Sequence, residues 1–138
     1  MKTLRIESLD IRPINVGLTD TFTISQGSVQ EVRSLLVTLT LDNGTTGYGE
    51  ITPFPELAGE DREACIEKFN EVSPELIGKS LNNIRTLSHI LEEALPGSPS
   101  VKCGIEISML DALTRTLEIP LWSYFGGLNE EILQTDIT

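Results

Sequence analysis

Up to Glu50 the apolar residues return at every second position, and from Glu60 onward they return at every third or fourth. Residues 4–16 set Leu4, Ile6, Leu9, Ile11, Ile14 and Val16 among polar neighbours, which predicts a first strand. The phase slips between Ile6 and Leu9, as a β-bulge produces. Pro13 has no N–H for a ladder, so this strand lies at an edge or bends there. Residues 17–28 are polar and glycine-flanked and read as a loop. Their Leu18, Phe22 and Ile24 suggest that the loop folds over something. Residues 29–41 form a second strand that alternates cleanly after Leu36. Asn43-Gly44 then predicts a two-residue type I′ turn, because that turn needs positive φ at both central residues. With that turn Leu41 faces Thr46, Leu39 faces Tyr48 and Val37 faces Glu50. The result is a three-stranded antiparallel meander.

Residues 47–60 are rich in glycine, proline and acid, which suits an ordered loop that presents side chains. The helical half begins at Glu60-Asp61, where acidic side chains favour a helix N-terminus, and Ala64, Cys65, Phe69 and Val72 give its apolar stripe. Residues 73–78 predict a break with a short turn. Ser80 reads as the N-cap of a helix to about Ala94, with Leu81, Ile84, Leu87 or Ser88, Leu91 and Leu95 inward. Ser98-Pro99 starts a last long helix to about Leu117. Its apolar positions cover most of its circumference, which predicts burial on nearly all sides. On it Gly104, Ser108 and Ala112 recur every four residues, a small stripe on which another backbone can pack closely. Residues 120–127 form a short apolar cap that turns at Gly126-Gly127, and the strand-like pattern of 132–138 begins and stops. The fold class is therefore α+β, a three-stranded meander followed by a helical bundle.

Composition narrows the functions. The 138 residues suffice for one domain with a real core. A formal charge of −11 and a pI near 4.4 oppose nucleic acid and anionic lipid surfaces. No apolar run is long enough to span a membrane, and Met1-Lys-Thr-Leu-Arg is no signal peptide. Cys65 and Cys103 sit in no metal or redox pattern, so both read as reduced core thiols of a cytoplasmic protein. Glu106 and Asp111 lie in the apolar helix without His, Lys or metal partners near them in sequence, and read as structural residues in need of hydrogen bonds. Glu50 reads as a fixer of loop geometry. His89 falls on a polar helix face with Arg85 and Glu92. Trp122 and Tyr124 read as packing against a neighbouring domain. No phosphate loop, nucleophile elbow or metal-ligand spacing is present.

Several motifs in order carry a resemblance: Gly47-x-Gly-Glu50 with Pro53 and Gly59-Glu60, then Gly104-Ile-Glu-Ile-Ser-Met-Leu-Asp111, Ile119-Pro-Leu121, Gly126-Gly127 and Thr135-Asp-Ile-Thr138. Over essentially the whole chain this resembles the N-terminal capping domain of the muconate-lactonizing subgroup of the enolase superfamily. The terminal Thr-Asp-Ile-Thr leans toward dipeptide epimerases of the L-Ala-D/L-Glu type. The resemblance implies that residues 1–130 are the capping domain and 131–138 the first strand of a (β/α) barrel, a unit of about 250 residues. In such enzymes barrel lysines move the substrate's α-proton and a carboxylate-bound Mg²⁺ stabilises the enediolate. Neither the lysine pair nor the metal ligands match in this sequence, whose lysines are Lys2, Lys68, Lys79 and Lys102. The resemblance thus assigns no catalytic or metal residue here. It makes the barrel the expected partner, with Mg²⁺ and a small-molecule substrate bound by the full-length enzyme, and leaves a homo-oligomer open. The capping loops, carried onto 18–25 and 51–56, make Thr21, Phe22, Ile24 and Phe54 the expected pocket residues. Neither loop holds a base to catch a substrate carboxylate. The capping domain of a cycloisomerase or o-succinylbenzoate synthase is the alternative within this class. A stand-alone interaction module with the same fold is the alternative outside it. An apolar face meant for the barrel, with the two loops and 122–128, would separate the two classes.

Overall fold

A computed structural model describes residues 3–25, 27–55, 59–127 and 134. Strands β1 (Ile6–Ile24), β2 (Gly27–Leu41) and β3 (Thr46–Ile51) form one antiparallel sheet in the order β1-β2-β3. Helices α1 (Arg62–Leu76), α2 (Ile84–Ala94), α3 (Pro99–Thr116) and the short α4 (Leu121–Tyr124) follow. The predicted α+β class and meander are what the chain adopts. Among the described residues no helix is long and apolar enough to cross a membrane.

The core lies between the sheet and the helices. Leu9, Leu35, Val37, Leu39, Leu41 and Ile51 meet Phe69, Leu76, Leu87, Leu91, Ile105 and Met109, all buried. The bulge falls as expected, with a register shift between Ile6 and Ser8 that returns Ile6 and Leu9 to the same buried face. Pro13 sits in β1, an edge strand, where its missing N–H disturbs no second neighbour. Near its start that edge is covered by the segment after α1: Ile6 donates to the Lys79 carbonyl at 3.0 Å and Gly78 to that of Ile6 at 2.8 Å.

Several expectations need correction. Residues 17–28 are no loop: β1 runs to Ile24 and β2 starts at Gly27, making a long two-stranded arm. Thr19, Thr21 and Thr23 alternate with other residues and favour extended backbone, and the surplus residues go into a register shift between Gly17 and Phe22.

The β2–β3 turn is also different. Thr40 pairs with Thr46, Leu39 with Gly47, Val37 with Gly49 and Leu36 with Glu50, one residue off the expected register. The loop is Asp42-Asn43-Gly44, closed by Gly44 N–H to the Leu41 carbonyl at 2.8 Å and Leu41 N–H to the Thr45 carbonyl at 2.9 Å. Only Gly44 has positive φ, +84°. A type I turn followed by one left-handed residue is the three-residue alternative to type I′. The shift exchanges faces, so Gly47 and Gly49 point inward and Tyr48 and Glu50 outward.

The helical expectations hold better. Ser80 caps a single 3-10 turn, Leu81–Asn83, and Asn83 caps α2 by accepting from Thr86 N at 3.2 Å. The predicted break at 73–78 starts later than expected, because α1 continues through Pro74 to bury Leu76 and ends there, with Ile77 extended at ψ 134° and Gly78 at φ +78°. Pro74 lies in the last turns on an exposed face, where one missing amide bond is tolerated while the apolar stripe continues. On α3, Val101, Ile105, Met109 and Ala112 are buried, yet Cys103 and Ile107 are exposed, so the helix is not enclosed on nearly all sides. The sheet and the other helices cover only part of its circumference. Cys65 is the core thiol expected; Cys103 is not. The terminal barrel strand expected at 131–138 lies outside the described residues.

Candidate functional site

Two segments leave the sheet at the same end. The arm brings Phe22 opposite Val29. After Ile51 the chain reads Thr52-Pro53-Phe54-Pro55, whose prolines lack the N–H needed to prolong a strand and hold extended backbone. Between them lies a cavity of about 430 Å³, lined mainly by Phe22, Val29, Val32, Arg33, Pro53, Phe54 and Pro55. That is the volume of a small-molecule site, apolar with a few polar groups.

The structure thus brings Phe22 and Phe54 together. Thr21 does not line the cavity; it is exposed in the shifted part of the arm. Ile24 pairs with Gly27 through its backbone at the tip, and its side chain lies outside the described residues. A basic residue reaches the cavity wall from a strand: Arg33 of β2 stands there beside Glu31, its Nε 3.0 Å from the Glu31 carboxylate. Beside it Arg62 donates to the Asn15 side-chain carbonyl at 2.7 Å. A smaller cleft of about 200 Å³ links the two arginines past Pro53 and Pro55. A signal for Arg33 existed in the sequence. It is odd-numbered in a strand whose odd positions Leu35, Val37 and Leu39 face inward, a charge in phase with the core.

The far end of the Phe54 segment is held by a residue assigned otherwise from sequence. Asp61, not Glu60, caps α1, accepting from Ala64 N at 2.7 Å. Glu60 is 6% exposed and turns to α3, where its Oε2 accepts from Ser100 N at 3.1 Å and from the Ser100 hydroxyl at 2.5 Å. Ser98, in the N-cap position of α3, makes no side-chain cap bond, so Glu60 supplies the acceptor that this helix end needs. Beneath it the Cys65 thiol is pushed up to about 11, first by burial and then by the charges of Glu60 and Asp61.

On α3, Asp111 ties the helix to the sheet. Asp111 accepts from Tyr48 N at 2.9 Å and from Arg115 Nε at 2.8 Å, and the Arg115 guanidinium lies 5.6 Å from the Tyr48 ring centroid. Glu50 is an exposed strand residue and fixes no turn. His89 is exposed beside Glu93. Beyond α3 an apolar surface opens: Leu117, Ile119, Leu121 and Tyr124 are all exposed, with Trp122 at 52% and Phe125 at 68%. Among the described residues no three His, Cys, Asp or Glu gather where a metal could be held, and no lysine lines the cavity. The described residues therefore do not fit a Mg²⁺ site. They can enclose and orient a ligand.

Known proteins resemble this chain in sequence and fold. The aromatic dipeptide epimerase of Herpetosiphon aurantiacus is 35% identical over 96% of this chain and 37% of its own length. The L-Ala-D/L-Glu epimerase of Bacillus subtilis is 31% identical over 100% of this chain and 37% of its own. A dipeptide epimerase from Cytophaga hutchinsonii, solved with Mg and the dipeptide D-Ala-L-Val, superposes with a TM-score of 0.90 at 26% identity, over 96% of this chain and 36% of that one. The chain thus spans little more than a third of the length of these relatives. Residues 8–126 match the family described as mandelate racemase / muconate lactonizing enzyme, N-terminal domain. The meander, the helices stacked on it and that match make this chain a member of the mandelate racemase / muconate lactonizing enzyme N-terminal domain family, within the enolase superfamily.

Proposed function

We propose that this chain is the substrate-capping, specificity-setting part of a Mg²⁺-dependent racemase or epimerase that acts on dipeptides or other amino acid derivatives by moving a proton on and off one carbon. One observation carries the reading: Phe22 and Phe54, from segments thirty residues apart, converge on one ligand-sized cavity with Arg33 at its wall. Aromatic side chains on two projecting segments exclude water from a bound substrate and sort its side chain by shape. Relatives roughly three times as long, named as dipeptide epimerases, support the reaction class. The metal ligands and the proton-moving bases belong, on this reading, to the barrel portion of such an enzyme, and this chain has no activity without it. When bound there, Mg²⁺ would supply charge stabilisation for the enediolate. The exposed surface from Leu117 to Phe125 would meet that barrel. Two free cysteines fit a reducing compartment, and we place the enzyme in the cytoplasm.

The test is a chimera in which this chain replaces the N-terminal third of the Herpetosiphon aromatic dipeptide epimerase. Epimerisation is followed by exchange of the α-proton with deuterium across aromatic, aliphatic, acidic and basic dipeptides. The expected outcome is an active enzyme whose kcat/KM ranking differs from the parent's, and Phe54→Ala in the chimera shifts that ranking again. A folded, active chimera with the parent's ranking, insensitive to Phe54→Ala, sinks the capping reading.

A further inference from the structure

The Phe54 segment is gripped at both ends by the same helix. At its start, Gly104 of α3 lies so close to β3 that a Cβ there would meet the Ile51 side chain and stand 2.9 Å from the Glu50 carbonyl oxygen. At its end, Ser100 of α3 holds the buried Glu60 carboxylate through both its amide and its hydroxyl. Ser100 and Gly104 are one helical turn apart, on the same side of α3. Between the grips, Thr52 stands 3.4 Å, hydroxyl to hydroxyl, from Ser34 of β2, and the Gly59 amide donates to the Pro55 carbonyl at 3.0 Å. Pro53 and Pro55 remove two amides and two soft φ angles from the span. Phe54 thus lies between Thr52, tied to β2, and Pro55, tied to Gly59, the neighbour of Glu60, so its placement follows the placement of these anchors.

We infer that Glu60 and Ser100 are positioning residues for Phe54: together with the Gly104 contact they form a clamp on α3 that sets where this aromatic ring stands against the cavity. The inference rests on the capping reading for its functional meaning, though not for its geometry. Glu60 sits where a helix N-terminus favours a carboxylate, and the cap residue proper, Ser98, leaves that role open. The carboxylate thus joins two pieces of chain forty residues apart without touching a ligand.

The clamp is tested on the whole chain labelled with 4-fluorophenylalanine, which reports on Phe22, Phe54, Phe69 and Phe125 at once. Loss of one resonance in Phe54→Leu assigns the signal. The clamp predicts that Glu60→Ala and Ser100→Ala each move the Phe54 resonance toward its unfolded position while buried Phe69 stays in place. Glu60→Gln, which keeps an oxygen acceptor, returns it most of the way. Should Glu60→Ala fail to fold, Ser100→Ala carries the test, since it removes one donor and leaves the amide. A Phe54 resonance that stays put in Ser100→Ala and in any folded Glu60→Ala, or that moves only when Phe69 moves too, overturns the inference. In the chimera, Glu60→Ala should raise KM for the preferred dipeptide about tenfold with kcat changed less than about twofold, the pattern of lost ground-state binding rather than lost enzyme. Phe54→Ala separates the two claims. If it leaves dipeptide ranking unchanged, the capping reading fails; if it changes ranking while Glu60→Ala leaves the ring and KM alone, only the clamp fails.

Discussion

A Cβ added to Gly49 would overlap the Gly104 carbonyl and stand 2.9 Å from the Ser108 amide, and one on Gly47 would stand 2.7 Å from the Ala112 Cβ. The obstacles are mostly helix backbone, which cannot rotate aside as a side chain can. Gly49→Ala should therefore cost about 3 kcal/mol, the upper part of the overpacking range, read as a lower urea midpoint. A loss below about 0.5 kcal/mol, the size of an ordinary surface change, would mean that the strand and helix separate easily. The two thiols should behave oppositely: Cys103 reacts with a thiol reagent in the native protein, whereas buried Cys65 reacts only on unfolding. Cys65 also sets a pH dependence. Unfolded, it loses its proton near its ordinary value of 9.0; folded, it keeps it to about 11. Between those values the folded chain binds the extra proton, so stability is flat below pH 9 and falls as pH rises toward 11. Cys65→Val should remove that slope from unfolding curves taken across the window. At this scale the sequence tells least about relations between distant residues. Glu60 looks like a first-turn acid of α1 because Asp61 and the helix follow it at once, and nothing local says that it reaches Ser100.

Elements whose boundaries are fixed by local chemistry were legible. The acids at Glu60-Asp61 and the Ser98-Pro99 pair mark helix starts within a few residues, whereas Asn83, three residues past the expected cap Ser80, and the helix end at Leu76, beyond Pro74, were not read. Asp61→Ala should cost about 1 kcal/mol, the usual worth of a helix N-cap, with helix content by circular dichroism retained below the transition. The β2–β3 turn was misread because Asn-Gly serves two turns of different length. Gly47 and Gly49 decide between them: they must face α3, and only the three-residue loop puts them there. Gly44→Ala should then cost about 1 kcal/mol for one left-handed residue, with the register kept, since the glycine seam holds it. Asn43→Ala should matter less than a type I′ turn requires, because Asn43 contributes only an acceptor for Thr45 N, at 3.0 Å. The arm was missed for a related reason. Its glycines look like breakers until pairing with the neighbouring strand absorbs the surplus residues.

At the scale of the molecule, the large apolar side chains exposed among the described residues gather mainly around α4, from Leu117 to Phe125. This surface should bind a hydrophobic dye, and the pair Trp122→Glu and Phe125→Glu should abolish most of that binding while shifting the melting temperature by less than about 2 °C, since both side chains are exposed. Unchanged dye binding would place the sticky surface elsewhere. The family was legible from motif order, and Gly47, Gly49, Gly104 and Ser108 of those motifs prove to form the seam between β3 and α3. The cavity was half legible: two of its aromatic residues were named, whereas Arg33 was passed over although it stands in phase with Leu35, Val37 and Leu39. That seam has a further consequence. A joint made of main chain carries no information about what hangs from either end of it, so it fixes position while staying indifferent to cargo. On the capping reading, the arm and the Phe54 segment are the parts of this fold free to change shape without disturbing that seam.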